Sequence, residues 1–342
     1  MELKKGMVLK EDIYSLSGVL LLKKGTKLNE GHINFLNHHK IQLQAELSSK
    51  NSPEQKLGEI YELVYKNVYS SIKDLQKKII AEKAKLDNQE ISEMLDAFEV
   101  LHKEFTLHDV GILEIMERFS EDEYLFKHCL NVGLIASKIG KILKLTNEHQ
   151  KMLANMGLFH DVGKFKIDPA ILNKPTRLTD DEFNLIKQHP KFGYDLLEGT
   201  SIDSMILEGV LKHHERLNGT GYPYRLREED IPFFVRILSV ADTFDAICSN
   251  RVYRGSMSLF YAIDELIKEI NLNRLDENIV LPFANFLMEL VKGKKITLRN
   301  GKEVEIIHLD FKHPNQPILK VDGYQPLNLL KENLTLNQVA NM

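Results

Sequence analysis

Between His128 and Asp242 the chain carries five histidines and two aspartates at spacings that a metal centre requires. They are His128, the run His160-Asp161-Val162-Gly163-Lys164, then His189, the pair His213-His214, and Asp242. Imidazole and carboxylate together suit first-row transition metals, and a carboxylate has two oxygens with which to bridge two ions. Two bridged ions with a lysine beside them form an apparatus for attack on phosphate esters. Taken singly, each histidine is more ordinary as a satisfied core or surface residue than as a ligand. Taken jointly, every member is flanked by apolar helical sequence that drives it toward an interior. Buried charge is costly unless it is paired or coordinated, so the set as a whole reads as ligands.

The elements that must position these side chains read as helices. Met152 to Lys164 reads as one helix and its end, with Met152, Leu153, Met156, Leu158 and Phe159 preceding the His-Asp pair. Neighbouring residues project about 100° apart, so His160 and Asp161 can approach one point from adjacent directions. Lys164 lies one turn beyond His160, on the same face. His128 opens a helix whose apolar side carries Val132, Ile135, Ile139 and Leu143. His189 ends another helix, which Pro190 stops or bends. His213 and His214 follow Ile206, Val210 and Leu211, and Asp242 follows Val235, Ile237, Leu238 and Val240. Helical period runs almost unbroken from about Asn88 to Lys292, and Thr179 with Glu182 forms a capping box.

Around that body the texture changes. Residues 1–50 read as a small α/β cap: Val19 to Leu22 suggests short strands, and Thr26 to His38 a helix. His38-His39 lacks an acidic or third histidine partner at ligand spacing and reads as surface. Residues 54–118 read as a helical linker in which Leu57, Tyr61, Val64, Val68, Ile72, Leu75 and Ile79 form an apolar stripe. Such a stripe suits a helix packed on its own domain equally with one that forms a homodimer or transmits a signal. Residues 119–292 make the helical domain that carries the constellation. Residues 293–342 read as a small β module, with a hairpin turning at Asn300-Gly301 and further strands at Ile318–Val321 and 327–330. The fold class is thus mainly α.

Composition excludes several functions. The net charge of −4 over 342 residues gives no reason to expect a nucleic acid polymer or an anionic membrane surface as partner. No apolar run reaches the roughly 18 residues of a membrane span; the best, Ile279 to Val291, holds Pro282, Asn285 and Glu289 and reads as a core helix. The first residues lack the apolar segment of a secretory signal. Cys129 and Cys248 are too few for a disulfide framework, and a reducing, cytoplasmic location is expected.

Three segments carry a resemblance. Around His160-Asp161, in His213-His214-Glu215-Arg216-Leu217-Asn218-Gly219-Thr220-Gly221-Tyr222-Pro223, and in Ala241-Asp242-Thr243-Phe244-Asp245-Ala246 followed by Arg251-Val252-Tyr253-Arg254, the chain resembles HD-domain metal-dependent phosphohydrolases, specifically the HD-GYP branch. The likeness covers about residues 119–290. It implies an HD-type helical bundle and hydrolysis of cyclic di-GMP to pGpG or GMP. It also implies two divalent transition-metal ions, of iron, manganese or zinc. His128, His160, Asp161 and Asp242 would hold one ion, and Asp161 would bridge to a second held by His189, His213 and His214. A hydroxide shared between the ions would be the nucleophile. Lys164 would contact the scissile phosphate, and Arg251 and Arg254 a phosphate or guanine.

The Gly219, Gly221, Tyr222, Pro223 loop carries glycines that permit backbone angles closed to other residues, before proline fixes the exit. It could wall the pocket, stack a base on Tyr222, dock a diguanylate cyclase, or act as a rigid turn that only positions His213 and His214. Three positions depart from the family pattern. Tyr124, with Glu123 one residue earlier, stands where some members have a glutamate for a third ion, so two metals are expected. Asn218 stands for a common aspartate, and Val252 for a common proline. Two other readings keep part of this picture. One is a hydrolase for another cyclic dinucleotide or nucleotide. The other is a cyclic di-GMP sensor or docking protein without turnover, a role for which loss of ligands would be the expected mark.

Overall fold

The computed structural model describes residues 5–8, 13–14, 20–29, 31–32, 86–107, 112, 124–249, 256–297, 303–321 and 325–340. The apolar stripe over 57–79, His38-His39, most of the helix expected from Thr26, the turn at Asn300-Gly301, Arg251 and Arg254 lie outside them.

Near the start, β1 (Ile13–Tyr14) pairs antiparallel with β2 (Leu20–Leu22) through a register irregularity. The helical body begins with α1 (Asn88–Leu107), whose buried residues Ile91, Met94, Phe98, Leu101 and Phe105 recur at helical spacing and give it one core-facing stripe. That stripe packs on the pair α2 (Tyr124–Ile142) and α3 (Asn147–Phe159). Lys144, in the left-handed region at φ 60°, turns the chain between them. Thr146 then caps α3 by accepting a hydrogen bond from the His149 N–H at 3.3 Å.

These two helices cross where each has a glycine. A Cβ on Gly157 would lie 2.4 Å from both Cα and N of Gly133, so any larger residue would force the helices apart. This contact fixes the distance between His128, upstream on α2, and His160, just past the end of α3.

After α3 come a 3-10 turn (Val162–Lys166), α4 (Pro169–Leu172), α5 (Asp180–Ile186), α6 (His189–Leu197) and α7 (Ser204–Lys212). The capping box expected at Thr179 and Glu182 is present and opens α5. Pro190 does the opposite of what its position suggested: it sits in the first turn of α6, and His189 opens that helix rather than ending the one before. Proline is tolerated there because first-turn N–H groups lack a helical partner in any case. The long α8 (Phe233–Ser249) packs against α2, and α9 (Ser256–Asn271) with α10 (Glu277–Val291) completes the helical core.

Four strands follow, β3 (Lys295–Thr297), β4 (Glu303–His308), β5 (Ile318–Val321) and β6 (Leu327–Asn328), in an antiparallel meander of that order. Their inward residues Ile296, Val304, Ile306 and Leu319 belong to the same continuous apolar cluster as the helices. The chain therefore passes from helix to strand after α10 without a break in its core. A short α11 (Leu336–Ala340), which hydrophobic period did not reveal, rests on α9. Buried Asp264 of α9 anchors this end by accepting from Asn315 Nδ2 at 2.8 Å and Thr335 Oγ1 at 2.7 Å. Among the described residues no helix is long and apolar enough to cross a membrane.

One polar contact in the helical core titrates. His102 of α1 is buried, with Nε2 2.6 Å from Ser137 Oγ on α2. Burial pushes the imidazole down to about 4, opposed by Glu99 and aided by Lys151 and Lys103. Below about 6.5 the unfolded chain binds a proton at this position that the fold refuses, so stability falls as pH drops and the loss levels off below about 4. The difference corresponds to about 3 kcal/mol at most. His102→Gln keeps a hydrogen-bonding group but does not titrate. Urea unfolding at about pH 7 and about pH 4.5 is expected to show the variant losing clearly less stability than the parent on acidification.

Candidate metal centre

Each residue of the predicted constellation sits at a helix end or on a helix face turned to one buried point. His160 is the C-cap of α3, Asp161 leads into the 3-10 turn, His189 opens α6, His213 caps α7, and His128 and Asp242 lie within α2 and α8. His160, His189 and His213 are fully buried, and His128, Asp161 and Asp242 nearly so. His214 is half-buried at the opening. The helix ends where chemistry is needed: His160 keeps helical backbone angles while Asp161, at φ −103° and ψ 7°, leaves them, and the adjacent side chains converge.

Asp161 is the centre. Its Oδ1 faces His189 Nε2 at 3.1 Å and His213 Nε2 at 3.8 Å, while its Oδ2 faces His160 Nε2 at 3.4 Å and His128 Nε2 at 3.6 Å. Asp242 is divided likewise. Its Oδ1 is 3.1 Å from His128 Nε2 and 3.8 Å from His160 Nε2, and its Oδ2 is 3.7 Å from His214 Nδ1. The side chains thus fall into two groups able to hold an ion, Asp161-His189-His213-His214 and His128-His160-Asp161, with Asp161 common to both. Asp242 faces His128 and His160, the pair with which the resemblance groups it, and also reaches toward His214 of the other group.

The proton positions test whether a metal fits. His160 Nδ1 donates to the Gly157 carbonyl at 2.7 Å, His189 Nδ1 to the Ile186 carbonyl at 2.7 Å, and His213 Nδ1 to the Val210 carbonyl at 3.0 Å. A carbonyl can only accept, so each neutral ring carries its proton on Nδ1 and a lone pair on Nε2. Yet His189 Nε2 and His213 Nε2 lie 3.2 Å apart. Opposed lone pairs at that range repel unless a cation lies between them. Asp161 Oδ1 is also buried without a hydrogen-bond partner. An orphaned carboxylate oxygen amid inward lone pairs is a site for divalent ions.

Electrostatics agree. Burial pushes His213 down to about 4, and burial together with the charge of His213 pushes His214 well below its usual range, so both are held neutral, as ligands must be. Burial would raise Asp161, but Lys164, then His160, hold it ionised well below the carboxylate range. Burial would lower Lys164, and Asp161 at 2.5 Å from its Nζ outweighs that and raises it. Burial opposes a charge on His128, but hydrogen bonds to Asp242 and Asp245 raise it to about 10.

Two residues of the recognised motifs carry work that motif reading did not assign. Asp245 Oδ2 accepts from His128 Nδ1 at 2.7 Å and so plays for His128 the part that backbone carbonyls play for the others. Its position three residues after Asp242 on one helix face was the available signal. Glu215, 1 % exposed, accepts from the Tyr224 N–H at 2.6 Å and the Leu226 N–H at 2.9 Å, tying the exit of the motif loop back to its start. No sequence signal short of the folded loop could reveal that.

In the loop only Gly219 uses a left-handed angle, at φ 77°. Gly221 is required for space instead, because a Cβ there would come within 2.5 Å of the backbone at His214, Glu215 and Arg216. Asn218 accepts from Thr220 and donates from Nδ2 to the Leu272 carbonyl at 2.8 Å, a bond that an ionised aspartate could not donate. Tyr222 lays its ring against His214, with centroids 4.6 Å apart. Glu123 lies outside the described residues, as do Arg251 and Arg254.

Comparison with known proteins places this geometry. Residues 113–279 match the HD domain family. The chain is 32% identical over 196 residues to the cyclic di-GMP phosphodiesterase PA4108 of Pseudomonas aeruginosa, covering 57% of this chain and 47% of that protein. Residues 113–279 are an HD domain, and the likeness to this relative agrees with the HD-GYP resemblance of the motifs. The chain is also 35% identical over 160 residues to the 3'3'-cGAMP-specific phosphodiesterase 1 of Vibrio cholerae, covering 47% of this chain and 37% of that one. It thus spans about half the length, or less, of these HD-GYP relatives. Among solved structures, Bd1817, a HDG"Y"P protein from Bdellovibrio bacteriovorus, matches with a TM-score of 0.57 at 15% identity, over 82% of this chain and 95% of that one, a likeness of fold.

Residues that orient metal-ligating histidines commonly change metal affinity by 10- to 100-fold when replaced. Asp245→Asn is accordingly expected to weaken binding of a divalent ion by about tenfold or more, read by chelator competition, with the helical signal in circular dichroism retained.

Proposed function

We propose that this chain is a metal-dependent phosphodiesterase that hydrolyses cyclic di-GMP to pGpG, GMP or both. One observation carries the reading: two groups of imidazole nitrogens converge on opposite oxygens of a single buried aspartate, with Lys164 held against it. His128, His160 and Asp161 would hold one ion and Asp161, His189, His213 and His214 the other, with Asp242 at the boundary. Divalent ions bound there supply Lewis acidity and an activated water at neutral pH. The identity of the ions, from iron, manganese and zinc, follows availability as well as ligand type.

The chain's own residues set the rest. The Nδ1 protons of His160, His189 and His213 are committed to backbone carbonyls, so these rings orient and do not relay protons. The Lys164 side chain is 20% exposed, and its ammonium joins the central carboxylate to the opening. There it would meet the scissile phosphate and offset charge growing on its oxygens. Tyr222 walls the His214 side and offers a face on which a base can stack. Arg251 and Arg254 would contact phosphate or guanine. A mixed cyclic dinucleotide is a second substrate reading, and it rests on the similarity to the Vibrio cholerae enzyme. Retention of the full ligand set and Lys164 argues against a sensor without turnover.

Incubation of the metal-loaded chain with cyclic di-GMP and with 3'3'-cGAMP, products separated by chromatography, tests the proposal. Asp161→Ala is expected to strip metal and abolish turnover, and full activity in that variant would defeat the two-ion reading. Lys164→Ala is expected to slow turnover by about a hundredfold with metal content, read by elemental analysis, nearly unchanged.

A further inference from the structure

Beside the metal centre the surface carries cations that the mechanism above does not use. Lys187 follows the end of α5, two residues before His189, and its Nζ lies 4.4 Å from the centroid of the Phe183 ring. The same Nζ lies 5.8 Å from the centroid of Tyr222, the ring that covers His214. Lys191, one turn along α6, sets its Nζ 5.2 Å from the Tyr224 ring centroid. Phe183 is 47% exposed and Tyr224 50%. Each of these lysines thus rests on an aromatic face, and neither makes an ion pair with a carboxylate among the described residues. Structural lysines on this surface look different: Lys174 is paired with Glu182 and Lys212 with Glu208.

A cation without a carboxylate, next to a flat apolar ring at the mouth of a phosphate-cleaving site, is arranged for an anion attached to something flat. A cyclic dinucleotide has two phosphodiesters at opposite corners of one small ring, each flanked by a base. When one phosphate lies against Lys164 and the metal centre, the other cannot reach them and must be neutralised elsewhere. The geometry points to Lys187 as the residue that binds the second, uncleaved phosphate of a cyclic dinucleotide, with Phe183 beside it as a stacking face for the adjoining base and Lys191 with Tyr224 extending the same rim. Lysine suits this task because it presents a compact point charge and does not require one fixed orientation of the phosphate. Tyr222 links the two positions, its ring 4.6 Å from that of His214 and 5.8 Å from the Lys187 Nζ. Lys187 would thereby determine specificity, favouring substrates with two phosphates over simple diesters with one.

This inference rests on the phosphodiesterase reading, and the test separates the two. Two quantities are measured on the full chain, parent and Lys187→Met: equilibrium binding of cyclic di-GMP, and metal-dependent hydrolysis of bis(p-nitrophenyl) phosphate, which has one phosphate. Loss of one charged contact predicts cyclic di-GMP binding weakened about tenfold, with hydrolysis of the single-phosphate diester unchanged. Lys187→Arg, which keeps the charge, is expected to restore most of the affinity, and raised salt to narrow the gap between parent and Lys187→Met. Equal losses on both ligands would overturn the assignment, since Lys187 would then act through the metal centre or the fold. Unchanged cyclic di-GMP binding would overturn it as well. Failure of the metal-loaded parent to cleave either compound would instead remove the phosphodiesterase reading, while the binding comparison would still decide whether Lys187 holds a second phosphate.

Discussion

A carboxylate with almost no exposure, Asp161, lies among imidazoles, three of which turn their Nδ1 protons away from it toward backbone carbonyls. Burying such a charge costs several kcal/mol unless opposite charge surrounds it. Lys164 supplies one compensating cation at 2.5 Å, on one oxygen only. The other oxygen faces the Nε2 atoms of His189 and His213 and has no hydrogen-bond partner, a setting that suits a cation. Metal binding and the integrity of the helical core are therefore one problem.

The solution is built mostly from backbone. Three of the histidines are fixed by carbonyls at helix C-termini, His160 and His213 by their own helices and His189 by the end of α5, groups that a helix terminus leaves without partners in any case. Placing ligands at these ends uses each orphan carbonyl to set a tautomer and aim a lone pair. His128 lies inside a helix, where carbonyls are already committed, and so needs a side-chain acceptor in Asp245. The glycine contact between α2 and α3 then sets how closely the two groups approach. The 3-10 turn after Asp161 meets α6 as tightly, since a Cβ on Gly163 would overlap the His189 carbonyl.

Around the opening, polar work passes from backbone to side chains. Glu215 and Asn218 hold the motif loop so that Tyr222 covers His214, and Lys187 and Lys191 lie on aromatic rings beyond it. The interior sets which ligand atoms converge, whereas the rim presents the rings and charges that a bound molecule would meet. Similarity to relatives named for different cyclic dinucleotides agrees with a shared interior and a variable rim.

The residues of the centre, the helical character of the body and the strand texture after Lys292 were legible in the sequence, because ligand chemistry needs particular residue types and periodicity reports which face is buried. Helix ends were less legible. Pro190 fits the start of a helix as well as its finish, and only packing against the turn after Asp161 decided that His189 opens α6. The sheet's place in the helical core, α11 and the role of Glu215 depended on contacts between distant segments, which no local pattern encodes. The distribution of Asp161 and Asp242 over the two groups was decided in the same way. A sequence states which atoms can coordinate, but which oxygen faces which nitrogen is set by how closely helices cross, and that distance exists only in the folded chain.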